Sequence, residues 1–244
     1  MKKYFLGTVF LAVFSVFGFY ACNDIENPEI IDHYSVIPPA GGYDYYSQVH
    51  NDCGSYHNKE VINVLDATSD SYSEDPGWSN VIFNAMDSMY GINSSDMLGS
   101  LVSRDTTQDL NSFLITEFGS STSSDLTDAL TVVYDELSAE SDESNFKTIF
   151  TSWKLNPPSG LLPGEVNAFK NAMIIGESSC DYWIGPNDNS VSLRGWWRSR
   201  HPKAKKSDKY QNIVWGDIVM SIFATPLGGI GTSIVIGIQI HTGG

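Results

Sequence analysis

Larger apolar side chains recur at steps of three and four along most of this chain, the spacing that gathers residues on one face of a helix. From Asp44 to Leu65 the stripe is Tyr46, Val49, Cys53, His57, Val61 and Val64, which predicts a single helix. Val81, Ile82, Ala85, Met86 and Met89 form the next stripe, with Ser79 as its cap and Gly91 as its stop. Leu110, Phe113, Leu114 and Phe118 repeat the pattern, and Leu126, Leu130, Val133 and Leu137 follow behind a Ser124 cap. Phe146, Ile149, Phe150 and Trp153 end before Asn156, Pro157 and Pro158. Pro163 then suits the first turn of a helix through Val166, Phe169 and Met173. Polar runs such as Gly119 to Asp125 separate the stripes, strand-like alternation is almost absent, and no 20–50-residue repeat recurs. The reading is mostly α: a single helical bundle-like domain over residues 43–193.

Both ends depart from this pattern. Lys2 and Lys3 precede an uncharged apolar run from Tyr4 to Ala21, and Cys22 follows. A basic start, an apolar stretch and a small residue before the break mark residues 1–21 as a signal peptide. A Cys directly after that small residue is the bacterial lipoprotein arrangement, in which Cys22 is acylated and becomes the new N-terminus. A plain cleaved signal and an uncleaved anchor helix are the competing readings. Residues 22–42 carry Pro28, Pro38 and Pro39, and Pro biases its predecessor away from helix. They read as a lipidated Cys with an extended tether.

At the other end, residues 194–212 form a basic segment holding Arg194, Arg198, Arg200, Lys203, Lys205, Lys206 and Lys209 around Trp196 and Trp197. Residues 213–244 then form an apolar, small-residue-rich tail whose only charge is Asp217. Pro226, Gly228 and Gly229 divide it into halves too short to span a bilayer, which predicts a hydrophobic Gly/Ile-rich hairpin. Ser221, Thr225, Gly229, Ser233 and Gly237 fall at every fourth position, a line of small residues suited to close helix packing. Burial in the core, membrane insertion and self-association along that line all fit. The alternation of Ile234, Ile236, Ile238 and Ile240 also fits a buried strand.

Charge narrows the partners. Across 244 residues, 29 acidic side chains oppose 14 basic ones, for a formal net charge of −15. That argues against a nucleic-acid binder, which needs a basic face. Hydrophobic residues at 41% are enough for a core, which excludes a disordered chain.

Tyr43-Asp44-Tyr45, four residues, and then His50-Asn51 resemble the opening of a group of uncharacterised Bacteroidetes-type lipoproteins, although Gly41-Gly42 stands where that group has Asn-Pro. The group's Ser-x-x-Tyr-Trp element is matched by Ser179-Cys180-Asp181-Tyr182-Trp183. Its closing Asp with a Gly/Ala-rich tail is similar to Asp217 through Gly237, here richer in Ile. The order of the three elements implies an architecture and a setting; it implies no chemistry.

Few residues suggest chemistry on their own. His50, Cys53 and His57, three and four apart, would share a helix face and could ligate a metal or activate a thiol, as a Cys/His hydrolase would; core packing is the plainer reading. Cys53 and Cys180 are the mature cysteines left after Cys22 and could pair as a disulfide outside the cytoplasm. Asp181, Asn187, Asp188 and Asn189 are calcium-type ligands without the spacing of an EF-hand loop. Tyr43, Tyr45, Tyr46, Trp183, Trp196 and Trp197 could form a ligand or glycan platform, or serve as core and interface anchors. Phosphate-loop, dinucleotide, His-Glu-x-x-His and Gly-x-Ser-x-Gly patterns do not occur. The expectation is a lipid-anchored protein of the cell envelope, at the outer membrane, with a binding or structural role and neither catalysis nor cofactor. The membrane would be reached through the lipid anchor, with the protein or glycan partner left open. The alternative is a membrane-active factor that inserts its apolar tail.

Overall fold

A computed structural model describes residues 44–68, 77–105, 107–184, 210–224 and 226–242. Every regular element among them is helical, as the apolar spacing predicts. The helices are α1 (Asp44–Ser47), α2 (Cys53–Thr68), α3 (Trp78–Tyr90), α4 (Ser94–Val102), α5 (Leu110–Phe118), α6 (Ser124–Ala139), α7 (Phe146–Leu155), α8 (Pro163–Trp183), α9 (Tyr210–Phe223) and α10 (Pro226–Thr242). Short 3₁₀ turns follow α5 at Gly119–Ser121 and precede α7 at Glu143–Asn145. The leader, Cys22, the tether and the basic Arg194–Lys209 segment with Trp196 and Trp197 lie outside the described residues.

The apolar tail is the centre of this domain rather than an appendage to it. Helices α9 and α10 pack along each other, α8 and α2 cross them, α5 and α6 cover α9, and α4 covers α10. Ile213, Val214, Ile218, Val219, Ile230, Val235 and Ile238 are all fully buried. A helix apolar all round belongs in a core, and here the amphipathic helices supply the surroundings. The strand reading of Ile234–Ile240 is corrected by α10. Alternation meant nothing there, because residues on every side of that helix are buried. Among the described residues no helix is long and apolar enough to cross a membrane.

Close approach depends on small residues. A Cβ on Gly229 would meet the Asp217 carbonyl at 3.0 Å and Ser221 Cβ at 3.3 Å, and one on Gly237 would meet Trp183 Cη2 at 3.2 Å. Ser221, Gly229, Ser233 and Gly237 thus spend the every-fourth line on contacts within the domain; Thr225 lies outside the described residues. Gly54 does the same between α2 and α8, where a Cβ would lie 2.7 Å from the Ile174 carbonyl.

Three local expectations need correction. The stripe from Asp44 to Leu65 is not one helix: α1 stops at Ser47 and α2 starts at Cys53. The cause is α8. Asn167 Nδ2 donates to the Tyr46 carbonyl (3.2 Å), Asn171 Nδ2 donates to the Gln48 carbonyl (2.9 Å), and Asn171 Oδ1 accepts from the His50 amide (2.7 Å). Backbone groups that a continuous helix would use are taken by a distant partner. Helix α4 is missing from the expected elements although Met97, Leu98, Leu101 and Val102 stand three and four apart and Leu98 and Leu101 are buried; its first amide, Ser94 N–H, is held by Asp87 Oδ1 on α3 at 2.7 Å. Caps shift by a residue or two. Ser123 rather than Ser124 accepts from the Leu126 amide at 3.1 Å, and Gly77 rather than Ser79 precedes α3. Gly91 does stop α3, at φ 65° with its N–H on the Asp87 carbonyl, and Pro163 does open α8.

Candidate functional site

Four helices meet at Asp217, the lone acid of α9, whose side chain has no exposed surface. A carboxyl in such a place needs hydrogen-bond partners. Asp217 Oδ2 accepts from Ser179 Oγ of α8 and from Ser233 Oγ of α10, the latter at 3.1 Å. Ser233 Oγ in turn accepts from Trp183 Nε1 of α8 at 3.2 Å. The fourth member is His57 of α2, whose Nε2 lies 3.9 Å from Asp217 Oδ1. Among the described residues neither of those two facing atoms has a hydrogen-bond partner of full geometry, although the Gly229 backbone lies against the imidazole. His57 Nδ1 is within 3.3 Å of Asn58 Oδ1, and Asn58 Nδ2 donates to the Ser178 carbonyl at 2.8 Å.

Burial sets the charge state of this junction. It pushes the Asp217 carboxyl well above the usual carboxylate range, against the opposing pull of the Ser179 and Ser233 hydroxyls. It pushes the His57 imidazole down to about 4, with Asn58 and the Gly229 backbone opposing. Both groups are driven toward their neutral forms.

Serine, histidine and aspartate together invite comparison with an acyl-transfer triad, but the wiring differs. A nucleophilic serine is hydrogen-bonded to its imidazole base, which the carboxylate orients from the far side. Here Ser179 is bonded to the carboxyl itself, and none of Ser179, His57 and Asp217 is more than 3% exposed. The arrangement is suited to fastening α2, α8, α9 and α10 together at one point.

The sequence-derived candidates are scattered around this junction. His50 lies in the bend before α2, Cys53 opens α2, and only His57 reaches the junction. Cys53 Sγ donates to the Asn171 carbonyl at 3.5 Å, and burial pushes its thiol up, away from the thiolate that metal binding or nucleophilic attack requires. Among the described residues no three His, Cys, Asp or Glu side chains group as a metal-holding set. The Cys53–Cys180 disulfide is corrected: both are free, buried thiols. Cys53 touches Asn171, whereas Cys180 stands nine residues farther along the same helix α8, roughly 13 Å at 1.5 Å per residue, beyond the reach of a disulfide.

Asp181 is engaged by Lys147 at 2.6 Å, while Asn187, Asp188 and Asn189 lie outside the described residues. Trp183 is an interior residue that stacks on Tyr210 at 6.3 Å, and Tyr46 packs against the core. Tyr43 lies outside the described residues, and of Tyr45 only the backbone is described.

Sequence reasoning missed Asn171 entirely, although it is fully buried and organises the chain before α2. Its one signal was an amide amid the apolar residues of α8. Ser179 and Trp183 belong to one motif element and Asp217 to another; the fold brings all three to one junction. No protein family, curated protein or solved structure matches this chain.

Proposed function

We propose that the chain is a lipid-anchored cell-envelope protein, held at the outer membrane through Cys22, whose helical domain binds or braces a partner without catalysis. The observation that carries this reading is the sealing of the Ser179–Asp217–His57 junction. The convergence of residues with catalytic potential is spent on holding helices together, which leaves the domain its outer surface for contact. That surface carries acidic side chains along α6 and its exit, including Asp135 and Glu140, and isolated exposed apolar residues such as Val132, Leu155 and Leu162. The setting rests on the Lys2–Cys22 leader and on the resemblance to Bacteroidetes-type lipoproteins. Metabolic labelling with a palmitate analogue tests it. Label on the wild-type chain and none on Cys22→Ser is the expected result; unlabelled wild-type chain recovered from culture medium would overturn it.

One observation favours a second reading, a membrane-active factor. The centre of the domain is a pair of helices apolar on every side, surrounded by amphipathic helices that could separate from it. Leakage of dye from phospholipid vesicles supports that reading, and intact vesicles at micromolar protein remove it.

A further inference from the structure

His57 Nε2 and Asp217 Oδ1 come from different helices, are both sealed from solvent, and face each other across 3.9 Å, with the Gly229 backbone of α10 also against the imidazole. At that distance the charge on one governs the protonation of the other, so their protons belong to the pair. We propose that His57 and Asp217 hold one proton as a unit, and that adding a second proton to this unit releases α2 from the α9–α10 pair.

The geometry makes α2 the element that moves. Asp217 keeps two hydroxyl donors, Ser179 from α8 and Ser233 from α10, when α2 leaves, whereas α2 contributes only His57 to the junction. Other groups near the pair do not substitute for it. From α8 these are Ser179, Trp183 and the Cys180 thiol, which burial pushes up. From α10 they are Ser233 and the Gly229 backbone. On α2 itself, Asn58 is occupied with Ser178, and Glu60 accepts from the Tyr90 hydroxyl of α3 at 2.6 Å. His50 sits at the Asn171 end of α8, about two turns away.

With one proton the unit is neutral, which suits its dry surroundings. A second proton makes it cationic, and among the described residues no further carboxylate stands by to compensate. In the released state His57 meets water and titrates near its ordinary 6.5, against about 4 when closed. The sign follows: release is favoured as pH falls below 6.5 and saturates near 4. Between pH 7.5 and 5 the opening constant of α2 rises about 30-fold.

Amide hydrogen exchange on the full chain, corrected for intrinsic rates, tests this at pH 7.5, 6 and 5. The expected result is a roughly 30-fold acceleration in α2 with α5 and α6 unchanged. In Asp217→Asn the acid response of α2 persists, because the triggering proton goes to His57 whether a protonated carboxyl or an amide faces it; in His57→Gln the acid response disappears. Acceleration shared equally by α5 and α6, a pH-independent α2, or an acid response that survives in His57→Gln would overturn the proposal. Should His57→Gln not fold, the wild-type imidazole resonance decides. Titration below about pH 5 in step with α2 exchange supports the unit, and titration near 6.5 with α2 unchanged refutes it.

Discussion

Replacing Asn171 by Ala should cost far more than deleting one amide from a helix surface. The side chain is fully buried, its Oδ1 accepts from the His50 amide at 2.7 Å, and its Nδ2 donates to the Gln48 carbonyl at 2.9 Å. Gln48 is exposed, so its carbonyl can turn to water and the loss there is small. The His50 amide lies within a buried residue, and removing its acceptor leaves a desolvated donor, worth about 1–3 kcal/mol. The void left by the amide adds on the order of 1 kcal/mol. The expected loss is therefore about 2–4 kcal/mol, read by urea denaturation monitored through tryptophan fluorescence. Asn167→Ala is the internal control. That side chain is half-buried and donates only to the Tyr46 carbonyl at 3.2 Å, so its removal should cost no more than about 1 kcal/mol. An Asn171→Ala loss below 1 kcal/mol, or equal to that of Asn167→Ala, would refute the claim that α8 bends the chain before α2.

Gly54→Ala should destabilise by about 1–3 kcal/mol, because its Cβ would press on the Ile174 carbonyl. Gly99→Ala, inside α4 with open space around it, should stabilise by about 0.5–1 kcal/mol in the same urea titration. Ser179→Ala removes a donor to the buried Asp217 carboxyl and should lower stability by about 1–3 kcal/mol. Thermal melting of that variant across a pH series should show a deficit that widens toward alkaline pH. With a raised folded-state value, Asp217 costs stability as pH rises through it, and loss of a donor raises that value further. Cys53 and Cys180 should resist a water-soluble thiol reagent in the folded protein and react fully in urea; prompt native labelling of either would contradict their burial.

How much of this could be read from the chain depended on where each residue's partner lay. Stripes such as Leu126, Leu130, Val133 and Leu137 predict their helix because the apolar face alone decides it. The bend at 48–52 could not be read, because its cause is Asn171, more than a hundred residues away. Helix α4 was legible and missed: Met97, Leu98, Leu101 and Val102 form a short stripe, and Leu98 and Leu101 are its buried face. In α9 and α10 burial on every side erased the period that separates helix from strand. The junction residues were visible singly: Asp217 as a solitary charge in an apolar run, and Ser179 and Trp183 within one motif. Their meeting required the crossing of α8 with α9 and α10, which no local spacing encodes. His50, Cys53 and His57 show the converse. Regular spacing grouped them, and a bend and separate partners parted them.

The order of synthesis gives the central placement of α9 and α10 a further consequence. The helices that enclose this pair precede it in the chain, so during translation each emerges before the surface it will cover exists. Helix α4 illustrates the delay, since its C-terminal carbonyls at Leu101 and Val102 accept from Gln239 of α10. Assembly therefore waits on long-range docking, and a ribosome halted ahead of Tyr210 would release a string of greasy, unmatched faces, a substrate for proteases and chaperones.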